Sequence, residues 1–240
     1  MSKPSFFHCK ECTSKEGSVF CDLKEAQLDI MDEAKICNVY RPHQMIFYEG
    51  NLPYGLYCIV SGKVKIYKMD KEGHQHIVRL LGPGEMVGYR CLLANEPYSA
   101  TAETLEETQV CFIDKKSLFH ILESHPATAF HVMCSLAKDL GKAEYQMVNI
   151  VHKNIRERLA ELLLVFLKKY GKKEEKGIRL NISLTREEMA ELIGSTQESV
   201  IRLMSEFKQD GIIAVDGRSI TILNAEKLVK TANVSDGSTA

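Results

Sequence analysis

The stretch Ser183–Ile213, SLTREEMAELIGSTQESVIRLMSEFKQDGII, contains the spacing that decides the fold of the C-terminal part of the chain. Its apolar residues fall on one face of each of two short helices, as helical periodicity requires. They are Met189, Leu192 and Ile193 in the first helix, and Val200, Leu203, Met204 and Phe207 in the second. Gly194 separates the helices, because glycine adopts the left-handed conformation of a tight turn at little cost. The stretch therefore predicts a helix-turn-helix.

Polar residues mark the start of each helix. Ser183 or Thr185 can cap the first, with Glu187 or Glu188 placed to complete a capping box, and Thr196 starts the second. The next residues, IIAVDGRSITIL, predict two strands joined by a tight Asp-Gly turn. A hairpin directly after a helix-turn-helix is the wing of a winged variant, so we predict a winged helix.

The exposed face of the second helix carries polar side chains suited to base edges. Glu198 and Arg202 are four residues apart and lie on the same face of the helix, in the half where a recognition helix meets the major groove. Arginine can donate two hydrogen bonds to guanine, and glutamate can accept one from cytosine. The alternative is an ordinary surface ion pair, worth about 0.3–0.5 kcal/mol. We predict DNA contacts from Thr185, Arg186, Ser195, Thr196, Gln197, Glu198, Ser199 and Arg202.

Upstream, residues 35–114 alternate short apolar segments with glycine turns. In GLYCIVSGKVKIYKMDKEGHQHIVRLLGPGE, residues 55–85, reversals containing glycine fall at 61–62, 72–73 and 82–84. Several short strands at this spacing are typical of an antiparallel barrel or sandwich. We predict an all-β sensor-like domain here.

A long helix is predicted from Pro126 to about His152, with an apolar residue at alternating steps of three and four. This seam comprises Met133, Leu136, Leu140, Ala143, Met147 and Ile150. Because the seam extends past one small domain, we predict that it pairs with a second copy in a parallel dimer; packing on its own barrel is the alternative. A further helix, NIRERLAELLLVFLKKYG, is predicted to end at Gly171, followed by KKEEKG as a charged surface loop.

The 240 residues are 45% hydrophobic and 26% charged, which is ordinary for a globular protein. No apolar run reaches the roughly 18 residues of a membrane span, and the first residues, MSKPSFFHCKEC, do not have the apolar core of a signal peptide. We therefore expect a cytoplasmic protein. The eight cysteines are scattered, several within apparent strands, which predicts free thiols rather than a secreted disulfide framework.

The formal net charge is −1, which alone argues against nucleic acid as a partner. The charge is unevenly divided, however: residues 1–152 hold 16 Lys and Arg against 19 Asp and Glu, and residues 153–240 hold 15 against 13. The C-terminal part is therefore net positive, as expected if only that part contacts DNA.

Four blocks in this order resemble the Crp/Fnr family of bacterial transcription regulators: LYCIVSGKVKIY, GPGEMVGY, NIRERLAELL and LTREEMAELIGSTQESVIRLMSEF. The resemblance covers residues 20–228. It implies an α+β chain with an N-terminal antiparallel β-roll like a cyclic-nucleotide-binding domain, a long dimerisation helix and a C-terminal winged helix-turn-helix. The boundaries we predict are 1–22 for a cysteine-containing segment, 23–125 for the β-roll, 126–152 for the dimerisation helix, 153–232 for the DNA-binding domain and 233–240 for a disordered tail.

For the DNA-binding domain, the resemblance implies that Glu198 and Arg202 contact bases and that the neighbouring polar residues flank them. It also implies that two copies bind a two-fold symmetric operator, with RNA polymerase as a further partner. Gln197 stands where the cyclic-AMP branch of the family has arginine, so the half-site should differ from that of the cyclic-AMP branch.

For the sensor domain, the resemblance implies a degenerate nucleotide pocket formed by Gly88, Tyr89, Arg90, Tyr98 and Ser99. The cyclic-AMP branch has a glutamate directly after the glycine and an arginine-serine pair for the phosphate. Here Tyr89 replaces the glutamate, and the region of the arginine reads Pro-Tyr-Ser. A charge-assisted bidentate contact is the strongest bond available to a phosphate, and this cassette does not have it. The resemblance therefore argues against cyclic AMP, and we expect Arg90 to face solvent or an interface.

The oxygen-sensing branch of the family has three N-terminal cysteines and one on a late strand, which implies that Cys9, Cys12, Cys21 and Cys111 could ligate a 4Fe-4S cluster. The match has one departure: eight residues separate Cys12 from Cys21 here, against five in that branch. Zinc bound by His8, Cys9, Cys12 and Cys21 also fits the residue types. A redox-active Cys9–Cys12 pair, or no cofactor with Cys111 in the core, are further alternatives.

Together these features predict a dimeric, sequence-specific DNA-binding regulator that responds through its N-terminal domain to a redox, oxygen, nitrosative or small-molecule signal. The alternative is a cyclic-nucleotide-binding regulatory module without DNA activity, which would need the arginine that the cassette does not have and would not need a winged helix. A CxxC oxidoreductase would need a thioredoxin-like alternation of strands and helices around the motif. We predict no catalytic residues and no enzyme activity.

Overall fold

The computed structural model describes residues 8–234. Contacts within the chain divide it into two compact units, residues 1–142 and residues 143–240. Most of the tail predicted to be disordered, residues 235–240, lies outside the described residues, as do residues 1–7 of the predicted cysteine-containing segment. Within the described residues, no helix combines the length and the apolarity that crossing a bilayer requires.

The N-terminal unit is built around two antiparallel sheets of four strands each, with strand orders β1-β8-β3-β6 and β2-β7-β4-β5. The strands are β1 (Lys35–Tyr40), β2 (Met45–Phe47), β3 (Gly55–Ser61), β4 (Val64–Met69), β5 (Gln75–Leu81), β6 (Met86–Val87), β7 (Thr101–Thr104) and β8 (Thr108–Asp114). Ile59, Val64 and Val110 are fully buried where the sheets enclose the core. The prediction of an antiparallel β-roll is confirmed.

Four α-helices belong to or leave this unit: α1 (Glu25–Ala34), α2 (Tyr89–Ala94), α3 (Lys115–Ser124) and the long α4 (Pro126–His152). Helix α1 was not predicted from the sequence. It buries only Leu28 and Met31, so its apolar stripe is too short to give a clear helical period. A short 3₁₀ turn, Cys9–Glu11, precedes it.

The C-terminal unit combines four helices with a small antiparallel sheet. The helices are α5 (Ile155–Tyr170), α6 (Arg186–Ile193), α7 (Gln197–Gln209) and α8 (Ala225–Ala232). The strands are β9 (Gly171–Glu174), β10 (Gly177–Leu180), β11 (Ile213–Asp216) and β12 (Ser219–Ile222), in the order β11-β12-β10-β9. The predicted helix-turn-helix and its wing, β11 and β12, are confirmed.

The segment KKEEKG was predicted to be a surface loop, and this prediction was wrong. Its first residues lie in β9, an edge strand that pairs with β10 through Lys172, Lys173 and Glu174. All four residues of β9 are exposed, so the strand has no apolar alternation by which the sequence could reveal it. Helix α5 ends at Gly171, as predicted; this residue caps the helix with extended backbone angles and begins β9.

Candidate nucleic-acid interface

Local hydrogen bonds fix the geometry of the helix-turn-helix. Thr185 caps α6: its side chain accepts a hydrogen bond from the Glu188 amide at 3.0 Å, and the Glu188 carboxylate accepts one from the Thr185 amide at 2.9 Å. This capping box decides between the candidate residues that the sequence left open. Gly194 then adopts φ 61° and ψ 57°, the left-handed conformation that turns the chain into α7.

Helix α7 is strongly two-sided. Thr196 caps the N-terminus of α7: its side chain accepts a hydrogen bond from the Ser199 amide at 3.3 Å. The inner face is buried and comprises Val200, Leu203, Met204 and Phe207. On the outer face Gln197, Glu198 and Arg202 are exposed. The buried face anchors the helix, so the exposed side chains of its N-terminal half are presented on a fixed support.

Glu198 and Arg202 do not pair with each other. The Arg202 guanidinium lies 3.6 Å from the Glu206 carboxylate, one turn further along α7, and the Arg202 side chain is 70% exposed. This arrangement differs from the Glu198–Arg202 ion pair that the spacing offered as an alternative. Both groups remain accessible to a partner in solvent.

An open depression of about 450 Å³ lies between the start of α5 and the middle of α7. Its lining residues are Asn154, Ile155, Arg156, Arg158, Arg202, Leu203 and Glu206. The Arg158 Nε atom is buried and makes no hydrogen bond. Arg158 was not predicted as a site residue, although Arg156 and Arg158 near the start of α5 place positive charge beside the helix-turn-helix.

Arg156 has a different role from Arg158. Its guanidinium donates hydrogen bonds to Glu206 at 2.5 Å and to Asp210 at 2.6 Å, and it lies over the Phe207 ring at 4.8 Å. These contacts join α5 to α7. Arg156 therefore stabilises the position of the outer helix, and its charge is already neutralised.

Arg186 and the wing are connected. The Arg186 guanidinium donates a hydrogen bond to the Gly217 carbonyl at 3.2 Å, at the turn between β11 and β12, and burial lowers the pKa of Arg186. Ser195 is half-buried in the turn before α7. Arg218, next to Gly217, is exposed at the tip of the wing. It was not predicted as a site residue, although its position beside the Asp-Gly turn places a basic side chain at the hairpin.

In the N-terminal unit, aromatic side chains fill the space beside Gly88. The Tyr98 ring is buried and stacks on Phe47, with ring centroids 3.6 Å apart. Gly88 has φ 82°, and a Cβ atom there would approach the Tyr98 ring to 2.8 Å. Tyr98 thus lies in the cassette region in which the family resemblance places the phosphate-binding residues.

The neighbours of Gly88 and Tyr98 are engaged in polar contacts. Tyr89 donates a hydrogen bond to Asp139 of α4 at 2.5 Å, and Arg79 pairs with the same carboxylate at 2.6 Å. Burial and the nearby Asp139 charge raise the pKa of Tyr89. Arg90, half-exposed, donates a hydrogen bond to Ser99 at 2.7 Å.

One pair of cysteines is not free. Cys37 and Cys111 face each other on β1 and β8 and form a disulfide, which corrects the prediction that all the thiols are free. The pairing follows from the register of two neighbouring strands, which the sequence does not reveal. Cys58, opposite Cys111 on its other side, is a free thiol.

The predicted cluster ligands do not converge. Cys9, Cys12, Cys58 and Cys111 line a cavity of about 50 Å³, whereas Cys21 faces His131 on α4, with Sγ and Nδ1 3.9 Å apart. The set of Cys9, Cys12, Cys21 and Cys111 is therefore not assembled, and Cys111 is in addition bonded to another cysteine.

The zinc set of His8, Cys9, Cys12 and Cys21 is not assembled either. His8 faces Asp32 at 3.5 Å, and Cys9 accepts a hydrogen bond from Lys35 at 3.1 Å. Burial raises the pKa of Cys9 to about 11, so this thiol is protonated at neutral pH. A Cys9–Cys12 pair with a reactive thiolate at Cys9 would need the opposite shift.

The predicted dimer seam is largely exposed. Exposure is 57% at Met133, 62% at Leu140, 68% at Met147 and 55% at Ile150, and Ala143 is exposed as well. The exception is Leu136, which packs against the buried core of the β-roll. Most of the apolar stripe on α4 is therefore not covered by the residues that the structure describes.

The chain combines a β-roll, a long helix and a winged helix-turn-helix in which the outer face of α7 is exposed. This combination defines a class of DNA-binding regulators. Residues 37–125 match the cyclic nucleotide-binding domain family, and residues 157–231 match the Crp-like helix-turn-helix domain family. The chain belongs to the Crp/Fnr family of transcription regulators.

Two named regulatory proteins and one solved structure are similar to this chain. The chain is 28% identical to the CRP-like cAMP-activated global transcriptional regulator of Mycobacterium tuberculosis over 78% of this chain and 84% of that protein. It is 26% identical to the fumarate and nitrate reduction regulatory protein of Vibrio cholerae over 95% of this chain and 91% of that protein. FixK2 of Bradyrhizobium japonicum shares the fold, with a TM-score of 0.75 and 24% identity over 84% of this chain and 98% of that one.

Proposed function

We propose that this protein is a dimeric, sequence-specific transcription regulator in which α7 enters the major groove of DNA. The observation that carries this proposal is that Glu198 and Arg202 are exposed on a helix whose opposite face is buried. A recognition helix contacts base edges through its N-terminal residues. Arg202 can donate two hydrogen bonds to guanine, and Glu198 can accept one from cytosine.

Arginine side chains near α7 are placed to contact DNA phosphates. Arg158 borders the same depression as Arg202, and Arg218 lies at the exposed tip of the wing; we assign both to phosphates, which supply most of the affinity but no sequence information. Arg186 holds the wing turn. The polar residues Thr185, Ser195, Thr196, Gln197 and Ser199 flank the base-contacting pair.

Selection from a random pool of duplex DNA tests the function. The purified full-length chain should enrich a two-fold symmetric sequence whose half-sites are centred about 34 Å apart, one turn of B-DNA, because two recognition helices related by symmetry bind successive major grooves. Enrichment of no sequence, under conditions in which the protein is folded and binds DNA, would contradict the proposal.

Arg158→Ala should weaken binding by a similar factor on the selected site and on random DNA, and should reduce the slope of log K against log salt concentration by about 1. The reason is that a phosphate contact contributes through counterion release, irrespective of sequence. Fluorescence anisotropy titrations at several salt concentrations give both quantities. Lys172→Ala, a change of an exposed cation on β9, is the control and should leave the slope unchanged; a selective loss on the specific site alone would assign Arg158 to a base instead.

We infer that the dimer forms along α4. Apolar side chains at alternating steps of three and four are exposed over this helix, and their spacing is that of a two-stranded coiled coil. A second copy would bury them, and it would also supply the two recognition helices that a symmetric operator requires.

The double variant Met147→Glu, Ile150→Glu should be monomeric by light scattering at micromolar concentration, where the unmodified chain is a dimer, because four carboxylates would meet in the seam. Val148→Glu is the matched control: Val148 is 54% exposed, but lies on the outer face of the predicted coiled coil. A monomeric unmodified chain, or a control variant that dissociates equally, would contradict the assigned seam.

We further infer that the N-terminal unit receives a signal other than cyclic AMP, of redox or small-molecule type. The packing of Tyr98 on Phe47 beside Gly88 supports this, as does the engagement of Tyr89 with Asp139. The cysteines predicted to ligate a 4Fe-4S cluster do not lie together, so we propose no role for such a cluster in receiving the signal.

The other classes considered fit less well. A nucleotide-binding module without DNA activity does not account for the exposed polar face of α7. In addition, the family and its named relatives are transcription regulators. We therefore propose no enzyme activity, a cytoplasmic site of action and RNA polymerase as a further partner.

A further inference from the structure

The N-terminal segment contacts α4 through a defined set of anchors. Val19, Phe20 and Leu23 are buried in the same core cluster as Val132 of α4. Cys21 and Asp22 lie between these anchors in the sequence, and His131 directly precedes Val132. The side chains of Cys21, Asp22 and His131 are therefore brought together by buried packing on both sides of them.

The distances within this group are short. The Cys21 Sγ atom lies 3.9 Å from His131 Nδ1 and 3.7 Å from Asp22 Oδ1, and His131 Nε2 lies 3.3 Å from Asp22 Oδ2. One ligand atom from each of the three residues can be chosen so that all lie within 4.8 Å of one another. In a tetrahedral zinc site with metal–ligand bonds of about 2.0–2.3 Å, neighbouring ligand atoms are about 3.5 Å apart. Small side-chain rotations suffice to bring the three onto one ion.

We propose that Cys21, Asp22 and His131 bind a divalent transition metal ion of the zinc type. A thiolate, an imidazole and a carboxylate are the three ligand types that zinc takes in proteins, and a site with three protein ligands leaves a fourth position for water. On binding, the Cys21 thiol gives up its proton to solvent and the neutral His131 ring donates a nitrogen lone pair, so metal affinity should fall as the pH is lowered.

The proposed site joins the N-terminal segment to the second turn of α4. It shares only Cys21 with the four-ligand set expected from the sequence, and it does not depend on DNA binding. Cys9 and Cys12 lie in a separate cavity, which makes the two arrangements distinguishable by substitution. His131 was missed because it is about 110 residues away in the sequence.

Cobalt(II) is the probe, because a tetrahedral cobalt site with a thiolate ligand is coloured and shows thiolate-to-cobalt charge transfer. Full-length protein, reduced and freed of metal by chelation, should bind one Co²⁺ per chain with this charge-transfer band, and zinc should displace the cobalt. Cys21→Ser should abolish the band. His131→Gln should weaken zinc binding, as measured by chelator competition. Because changing a residue that only supports a ligand costs about 10- to 100-fold in affinity, the loss of a ligand itself should exceed this factor.

Cys134→Ser and the double variant Cys9→Ser, Cys12→Ser are the matched controls and should retain the band and the stoichiometry. Zinc should also raise the melting temperature of the unmodified chain and of the controls but not of His131→Gln, since a ligand stabilises only the state that binds it; this comparison detects a variant that has failed to fold. A band that survives Cys21→Ser, a band that is lost in the Cys9, Cys12 double variant, or no cobalt binding would each overturn the proposal.

Discussion

Arg202→Ala should weaken binding to the selected operator by about 1–3 kcal/mol, roughly 5- to 150-fold, and should relax discrimination at one base pair of each half-site. The Arg202 side chain is 70% exposed and its one ion pair, with Glu206, is long, so its removal leaves no buried group without a partner. The folded state should therefore be nearly as stable as in the unmodified chain. Fluorescence anisotropy with the operator and its single-base variants measures both the affinity and the discrimination.

Lys208→Ala is the control for this prediction. Lys208 is also exposed and positively charged, but it lies in the last turn of α7, away from the half of the helix that contacts bases. Its removal should leave base discrimination unchanged. If Arg202→Ala weakens binding equally on every base variant, Arg202 contacts the backbone and the proposed recognition pair is wrong.

Phe207→Ala should destabilise the C-terminal unit by about 3–5 kcal/mol, because removal of a fully buried aromatic ring forfeits its burial and leaves a cavity. Phe207 is 0% exposed, and the ring also lies beneath the Arg156 guanidinium. Part of the loss should therefore come from the joint between α5 and α7. Denaturant unfolding followed by circular dichroism gives the change in free energy.

The matched control for Phe207→Ala is Ile201→Ala on the same helix. Ile201 is 47% exposed on the outer face, so its truncation should cost well under 1 kcal/mol. An equal loss for the two variants would show that α7 does not pack by the face described above.

The sequence predicted those parts of the fold that are determined by residues close together in the chain. Gly194 between two apolar faces determines the helix-turn-helix, and the Asp-Gly pair determines the wing, because both signals reside in a few neighbouring residues. Strand β9 escaped prediction because it is held by backbone pairing with β10 while all its side chains face solvent. Local patterns carry no information about such a strand.

The cysteines show the same limit for the candidate sites. Spacing placed Cys21 beside Cys9 and Cys12, whereas the fold places Cys58 there. The neighbours of a thiol on a sheet are set by strand register, which aligns Cys37, Cys111 and Cys58 across three strands. Register depends on contacts between distant segments of the chain. The number of residues between two cysteines therefore does not determine it.

The contacts of Asp139 have a thermodynamic consequence. Tyr89 and Arg79 reach the same carboxylate of α4 from two elements of the β-roll, so a displacement of the helix breaks both bonds together. A hydrogen bond to a charged group is worth about 1.5–3 kcal/mol, and an effector can shift an equilibrium only by the difference in its affinity for the two conformations. An effector that acted by displacing α4 would have to prefer the displaced conformation by enough free energy to offset the loss of both bonds.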